Sequence, residues 1–271
     1  MGLLNHLTYD GVDSSDFGVF ISGEGVFDAP ARRGEMISIP GRNGSLFMDE
    51  GVYENIPGKY PAFIGTKDET EFREKLAAFR NAILSRGNYK KLSDTYHPDE
   101  FRLAVYRSGL EVDPEEYNRS GKFELEFDCK PQRFLVSGEE PIVLTTGALI
   151  TNPTLHYSKP LIKVIGNGTV KIEPYEFIVS GNDGEIWIDS EIMESYRLVH
   201  TLYDLTDEEL EVIQDENGVD IEVSKEATPE AMEAFIEFVN YVYPQIKPGD
   251  VPVWISSGIE ELTIIPRWWR L

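Results

Sequence analysis

The sequence predicts a mainly β protein of two domains, with a single helix in the first. Three observations carry this. Short apolar runs separated by Gly, Asn, Pro and Asp turns fill most of the 271 residues. In "GKFELEFDCK", Phe123, Leu125 and Phe127 alternate with Lys122, Glu124, Glu126 and Asp128, the period of a half-buried antiparallel strand. Only one stretch of the first half has helical periodicity.

In the first half, residues 3–9 and 17–22 read as short strands on either side of the polar link "DGVDSSD". "GEMISIP" and "SLFMDEGVY" are two further strands joined by "GRNG". Asn-Gly between apolar runs predicts a hairpin with a type I′ turn, because both central residues of that turn need positive φ. A phosphate-cradling loop is the rejected alternative, since GxxxxGK and a strand-to-helix context are both missing. "KYPAFIG" continues as a strand. Asp68 to Ser85 is the helix: Phe72, Leu76, Phe79 and Ile83 form one stripe, Asp68, Glu69 and Glu71 occupy its first turn, and Gly87 follows as a stop. The strands "YKKLSD", "FRLAVYR" and "GKFELEFDCK" come next. "PQRFLVSGEEP" breaks the rhythm, placing a domain boundary near residues 134–140 and domains at 1–135 and 140–271.

The second half restarts with "IVLTT", "PLIKVIG", "TVKIEP", "YEFIVS" and "GEIWIDSE", at a spacing that suggests a β-sandwich or jelly roll. Residues 199–243 interrupt it. "LTDEELEVIQDENG" and "TPEAMEAFIEFVNYVY" both read as helical, the second with Thr228 as N-cap, Pro229 at the first position and a stripe of Met232, Phe235, Ile236 and Val239. This segment is expected to be an acidic helical insertion. "VPVWISSG" and "IEELTIIPRWWRL" close the domain as strands. In "PRWWRL" one tryptophan is expected to pack inward and the other to cover a rim.

The net charge of −23 is uneven. Residues 1–135 hold 17 Lys and Arg against 23 Asp and Glu, and residues 136–271 hold 8 against 25. Such a surface repels phosphates, which argues against specific nucleic-acid binding but suits a wall past which DNA slides. No apolar run approaches the ~20 residues of a membrane span. "MGLLNHLTYDG" lacks the features of a secretory signal, and His6 stands where a myristoylation signal at Gly2 wants Ser or Thr. The chain is expected to be made in a cytoplasm.

Chemistry-bearing motifs are sparse. Cys129, the only cysteine, lies in a strand and reads as a buried, inert thiol. His6, His97, His156 and His200 show no metal-ligand spacing, and "QDENGVD" lacks the spacing of a calcium loop. Asp183, Glu185, Asp189 and Glu191 alternate around Trp187 as the solvated face of a strand would. No nucleophile elbow is present. The expectation is a non-enzyme without cofactor or metal.

Taken in order, "LTYDGVDSSDFGVFISGEGVFDAPARRGEMISIPGRNGSLFMDEGVYEN", "LSDTYHPDEFRLAVY", "GKFELEFDCKPQRFL", "NPT…SKPLIKVIGNG" and "IPRWWRL" resemble blocks of the distal tail proteins (Dit) of long-tailed phages that infect Gram-positive bacteria. The resemblance implies an N-terminal, tail-tube-like β-sandwich with one helix that closes into a hexameric ring, and a galectin-like or carbohydrate-binding-module-like jelly roll outside it. It places the ring at the virion tail tip, between the tail-tube protein and the tail-associated hub protein, with DNA passing through and no membrane contact. A receptor-binding protein is a further partner. Under this resemblance Arg42, Asn43, Gly44 and Met48 are the candidate oligomer interface, with Arg42 offsetting a neighbour's acidic surface. Residues 199–243 depart from the family pattern, which has a shorter link there; the insertion either docks a receptor-binding protein or decorates the surface. The competing reading is a carbohydrate-binding adhesin that stacks cell-wall sugars on Trp187, Tyr175 and Tyr196.

Overall fold

The structure is a computed structural model. It describes residues 4–23, 27–115, 118–182, 184–196, 210–214, 220–224, 235–238 and 242–271. Gly2, Asp183, His200, Thr228, Pro229, Met232 and Val239, which the sequence singled out, lie outside the described residues. Two compact units emerge, Met1–Ser137 with Trp269–Leu271, and Gly138–Trp268.

The first unit contains strands β1 (Leu7–Tyr9), β2 (Val12–Asp13), β3 (Val19–Ile21), β4 (Arg32–Ser38), β5 (Ser45–Tyr53) and β6 (Ile56–Gly65), helix α1 (Glu69–Leu84), then β7 (Lys90–Asp94), β8 (Glu100–Tyr106), β9 (Asp113–Glu115) and β10 (Ser120–Leu135). All but β4 and β5 join one curled antiparallel sheet, in the order β2-β1-β7-β8-β10-β6-β3, with β9 added to β10. The alternation in β10 does what its pattern promised: Phe123, Leu125, Phe127 and Cys129 are buried while the intervening charged residues are not. Phe127 is the centre of an aromatic cluster, with its ring centroid 5.1 Å from both Tyr9 and Tyr106 and 6.0 Å from Tyr60. Its cross-strand partner is Gly58, where a Cβ would stand 2.7 Å from the Cys129 sulfur; only glycine permits that approach. Burial pushes the Cys129 thiol up, away from the reactive thiolate.

Helix α1 covers this core with Phe72, Phe79 and Ile83. Its start is fixed by a reciprocal cap. Asp68 Oδ1 accepts the Glu71 N–H at 2.9 Å, and the Glu71 carboxylate accepts the Lys67 N–H at 2.9 Å. Strands β4 and β5 pair only with each other and form a separate two-stranded sheet.

The second unit holds β11 (Ile142–Leu144), β12 (Leu149–Asn152), β13 (Leu161–Gly166), β14 (Gly168–Ile172), β15 (Tyr175–Ser180), β16 (Glu185–Asp189), β17 (Glu194–Tyr196), β18 (Leu210–Gln214), β19 (Asp220–Ser224), β20 (Phe235–Phe238), β21 (Gly249–Ile255) and β22 (Ile259–Ile265). Two five-stranded antiparallel sheets, β11-β22-β13-β16-β17 and β12-β21-β14-β15-β20, supply its core. Ile162, Val164, Ile186, Ile188, Leu262 and Ile264 are buried from the first sheet, and Ile150, Val170, Ile172, Phe177, Val179, Val251 and Val253 from the second. A β-sandwich is the physical solution for strands that alternate in this way.

The helical expectation for residues 199–243 is corrected wherever the structure describes that segment. β18 and β19 pair as an antiparallel hairpin, and β20 joins the edge of β15. The reason is visible afterwards: Val212, Ile213, Ile221 and Val223 are β-branched, and Asn217-Gly218 stands between the two runs. At β20, pairing with an open sheet edge outweighs the helical propensity of the surrounding alanines and glutamates.

The last strand, β23 (Trp269–Arg270), returns to the first unit and pairs with β10. The pairing of β10 with β6 ends at Cys129, its register with β8 shifts between Cys129 and Arg133, and Arg133 and Phe134 pair with β23. Two rows run across β8, β10 and β23. Phe101, Phe134 and Trp269 form one, with the two phenylalanine rings stacked at 5.5 Å. Arg102, Arg133 and Arg270 form the other, and the Glu100 carboxylate bridges the last two. Trp268 is buried and Trp269 half-buried, the inward and rim roles expected of the pair.

Candidate functional site

Among the described residues, the arm made by β4 and β5 is left uncovered on both faces. Cross-strand register places Met36 opposite Phe47, and Ile37 opposite Leu46. Met36 and Phe47 therefore share one face, and Ile37, Leu46 and Met48 the other. Both faces are apolar. Met36 is 65% exposed, Met48 57%, Leu46 48% and Phe47 43%. A solvated hairpin alternates apolar and polar faces; a strand pair apolar on both faces is built to be covered on both.

The arm is stiff at its base. Arg32 donates to Asp49 at 2.6 Å and to the Tyr53 hydroxyl at 3.2 Å, with its guanidinium 5.1 Å from the Tyr53 ring centre. The Glu54 N–H donates to the Ala31 carbonyl, closing the base. Asn55 then ties the exit to the body, donating to the Tyr89 hydroxyl at 2.6 Å and to Asp128 at 2.8 Å. Midway, the Phe47 ring lies across Gly34, where a Cβ would come within 2.5 Å of it. An isolated two-stranded hairpin is marginal in water. These contacts hold its shape, while its apolar faces stay open.

The tip differs from the predicted turn. Ser38 pairs with Ser45, so six residues connect the strands instead of two. The Arg42 N–H donates to the Ile39 carbonyl at 3.2 Å, and Gly41 has φ 78°. This is a type II turn with Pro40 at its first central position and Gly41 at its second. Asn43 keeps a negative φ, and Gly44 takes the positive one at 81°. The Pro-Gly pair satisfied the turn before the Asn-Gly pair was needed. Arg42, Asn43, Gly44 and Met48 are all exposed on the arm. Among the described residues the Arg42 side chain has no hydrogen-bond or ion-pair partner.

The aromatic candidates of the second unit do not form one platform. Trp187 and Tyr196 are direct cross-strand partners on β16 and β17. The Trp187 indole N–H donates to Glu185 at 3.1 Å, and Lys163 bridges Glu185 and Glu261 at 3.4 and 3.2 Å. Tyr175 lies on the other sheet, on the same side of β15 as the buried Phe177, and burial pushes its hydroxyl pKa up. The solvated-face reading also fails at Asp189, which is buried and held by Arg267 through two hydrogen bonds of 2.7 and 2.8 Å. Burial works to raise this carboxyl, but the Arg267 pair and the N–H groups of Glu191 and Ile192 outweigh it and lower its pKa.

Sequence reasoning passed over Trp254, the most exposed of the four tryptophans at 44%. The signal was present: Val251 and Val253 alternate inward, which sends Trp254 outward. Among the described residues, no three His, Cys, Asp or Glu side chains come together as a metal site. No helix among them is long and apolar enough to cross a membrane. His97 bonds to Asp94 at 3.2 Å, and the Tyr60 hydroxyl donates to the same carboxylate at 3.1 Å, a structural network beneath the sheet.

Residues 12–129, which include the whole arm, match the family described as phage tail protein RIFT-related domain. No curated protein matches the chain in sequence. Among solved structures the chain is similar to the Dit protein of phage SPP1, described as a paradigm of the hub adsorption apparatus in phages infecting Gram-positive bacteria. The two share 15% identity over 99% of this chain and 100% of that one, with a TM-score of 0.64. The chain is also similar to chains of the phage p2 baseplate in its activated conformation. The calcium form gives 9% identity over 97% of this chain and 98% of that one, with a TM-score of 0.51. The strontium form gives 9% over 100% and 99%, with a TM-score of 0.50.

Proposed function

We propose, from the premise that residues 12–129 are a phage tail RIFT-related domain in a chain with the Dit fold, that this protein is a structural component of a phage tail tip. It assembles as a hexameric ring that joins the tail tube to the hub protein and the host-adsorption apparatus, and DNA passes through the ring. It is made in the cytoplasm of the host, has no enzymatic activity and acts by holding partners in register. Residues 1–135 form the ring, joined by the returning strand β23, and the rest of residues 140–271, a galectin-like domain, lies outside it. The competing adhesin reading loses its three-residue platform, because Tyr175 belongs to the other sheet.

The observation that carries this reading is the arm. Among the described residues its two apolar faces find no cover and its tip guanidinium no partner, in a protein of net charge −23. A neighbouring copy supplies both an apolar surface and acidic groups for Arg42. A contact of one patch on a different patch of the next copy is head-to-tail, and it closes into a ring when the rotation fits. Gly44 and Asn43 let the tip approach that neighbour, and Met48 enters the interface beside Leu46.

Native mass spectrometry tests the assembly. The wild-type chain is expected as a hexamer or as stacked hexamers. Arg42→Glu is expected to shift the population toward folded monomer. A strict monomer at millimolar concentration overturns the ring, and an intact ring in Arg42→Glu reduces the tip to a turn.

A further inference from the structure

Three Asn-Gly pairs occur in the sequence, at 43–44, 167–168 and 217–218, and the last lies outside the described residues. The first two stand in opposite surroundings. Asn167 is clamped: its side-chain amide donates to the Asn182 carbonyl at 2.7 Å, and its side-chain oxygen accepts the Asn182 N–H at 2.7 Å. Its own N–H donates to the Gly258 carbonyl at 2.8 Å. Gly168 is packed as tightly, since a Cβ there would stand 2.1 Å from the Ser256 hydroxyl oxygen. Asn43 is the reverse case. It lies outside both strands of the arm, between Ser38 and Ser45, and is exposed. Among the described residues neither its side chain nor the Gly44 N–H has a hydrogen-bond partner. A Cβ built on Gly44 would meet nothing within 4 Å, so the peptide there is open on that side.

We propose that Asn43 is a site of spontaneous covalent modification, at which deamidation cancels the positive charge of the arm's tip. The Gly44 nitrogen gives its proton to hydroxide and attacks the Asn43 side-chain carbonyl carbon. The adduct expels the amide nitrogen, which takes up a proton from water and leaves as ammonia, closing a five-membered succinimide. Water then adds to one of the two ring carbonyls and opens the ring, leaving either aspartate or isoaspartate at position 43. One water enters and one ammonia departs; nothing is oxidised or reduced. Ring closure requires the main chain and side chain of the asparagine to rotate together, with room at the attacking nitrogen. Glycine has no side chain to crowd that nitrogen, and the tip has no ladder to hold the rotation back. At Asn167 the same closure has to break two side-chain hydrogen bonds in a packed segment. Arg42 is the only charged residue between Ser38 and Ser45, so the new carboxylate beside it turns a cationic tip neutral. For assembly the consequence, which rests on the arm meeting an acidic neighbour, is that an unassembled chain loses its tip contact as it ages.

Peptide mapping by mass spectrometry tests the site on the full chain, held as dilute monomer in warm, mildly alkaline buffer. The peptide with Asn43 is expected to gain about one dalton and to split into aspartate and isoaspartate forms, at least tenfold faster than the peptide with Asn167. In a chain unfolded in guanidinium chloride the two rates are expected to agree within threefold. Equal rates in the folded chain, or an Asn43 peptide that stays intact while the unfolded chain converts, overturn the proposal. The effect of the charge is read separately. Asn43→Asp is expected to raise the assembly midpoint at least threefold with an unchanged thermal melt, and a midpoint equal to wild type overturns that consequence. A chain that is monomeric at every concentration and still deamidates at Asn43 refutes the ring and leaves the modification site standing.

Discussion

Replacing Phe47 with Ala separates what the arm does for the folded chain from what it does for the assembly. Part of the ring already packs over Gly34, and 43% of the residue remains exposed. For a side chain of about 200 Å² this leaves roughly 90 Å² for a neighbour to cover, worth about 2 kcal/mol at about 25 cal/mol per Å². That corresponds to about a 30-fold weaker contact at each interface. Within the monomer the buried part of the ring packs on the arm itself, so its loss loosens the hairpin rather than the core. The cost to the cooperative melt is small, about 0.5–1 kcal/mol. Light scattering after size exclusion, over a concentration series, reads the midpoint of assembly; a thermal melt under monomeric conditions reads the fold. The expected result is a midpoint raised by more than tenfold with a melting temperature lowered by only a few degrees. An assembly midpoint within threefold of wild type would refute the argument that these faces are covered by a second copy.

Two further perturbations probe the units themselves. Asp68→Ala removes the acceptor for the Glu71 N–H and is expected to cost about 1 kcal/mol, a drop of roughly 3–6 °C in the melt of the first unit. Asp189→Asn breaks the paired hydrogen bonds to Arg267 and is expected to destabilise the second unit by about 2–3 kcal/mol at neutral pH, less than a fully buried pair because Arg267 is partly exposed. The sign of its pH dependence follows from the lowered Asp189 pKa. The stabilisation is complete above the unfolded carboxylate value near about 4 and is lost as pH falls through the lower folded value. Denaturant midpoints between pH 7 and pH 2 should therefore converge for wild type and variant at the acid end; a constant gap would contradict the ion pair's role.

What could be read from the sequence was local. Helix α1 was legible because Phe72, Leu76, Phe79 and Ile83 repeat at helical spacing behind an acidic first turn. The strand β10 was legible because Phe123, Leu125, Phe127 and Cys129 are each followed by a charged residue. The arm was legible as a hairpin, but its turn was not: Pro40-Gly41 and Asn43-Gly44 both encode turns, and the choice lies in the register of Ser38 with Ser45. In β18 and β19 acidic residues masked a period of two, and a count of helix-forming glutamates outweighed the β-branched residues between them. Non-local features were out of reach. The buried Asp189 depends on Arg267, which lies 78 residues further along the chain.

The pairing of β23 with β10 has a consequence for the order of synthesis. Arg133 and Phe134 emerge from the ribosome with β8 already made on one edge, but their partners on the other edge, Arg270 and Trp269, are translated only after residues 138–268. Throughout the translation of residues 138–268 the first sheet carries two unmatched backbone positions, and Glu100 lacks one of its two guanidinium partners. A nascent chain stalled or cut in that interval holds an incomplete sheet with an exposed edge, a state prone to pair with another strand. Completion of the first unit is therefore a late event, timed by the arrival of two residues.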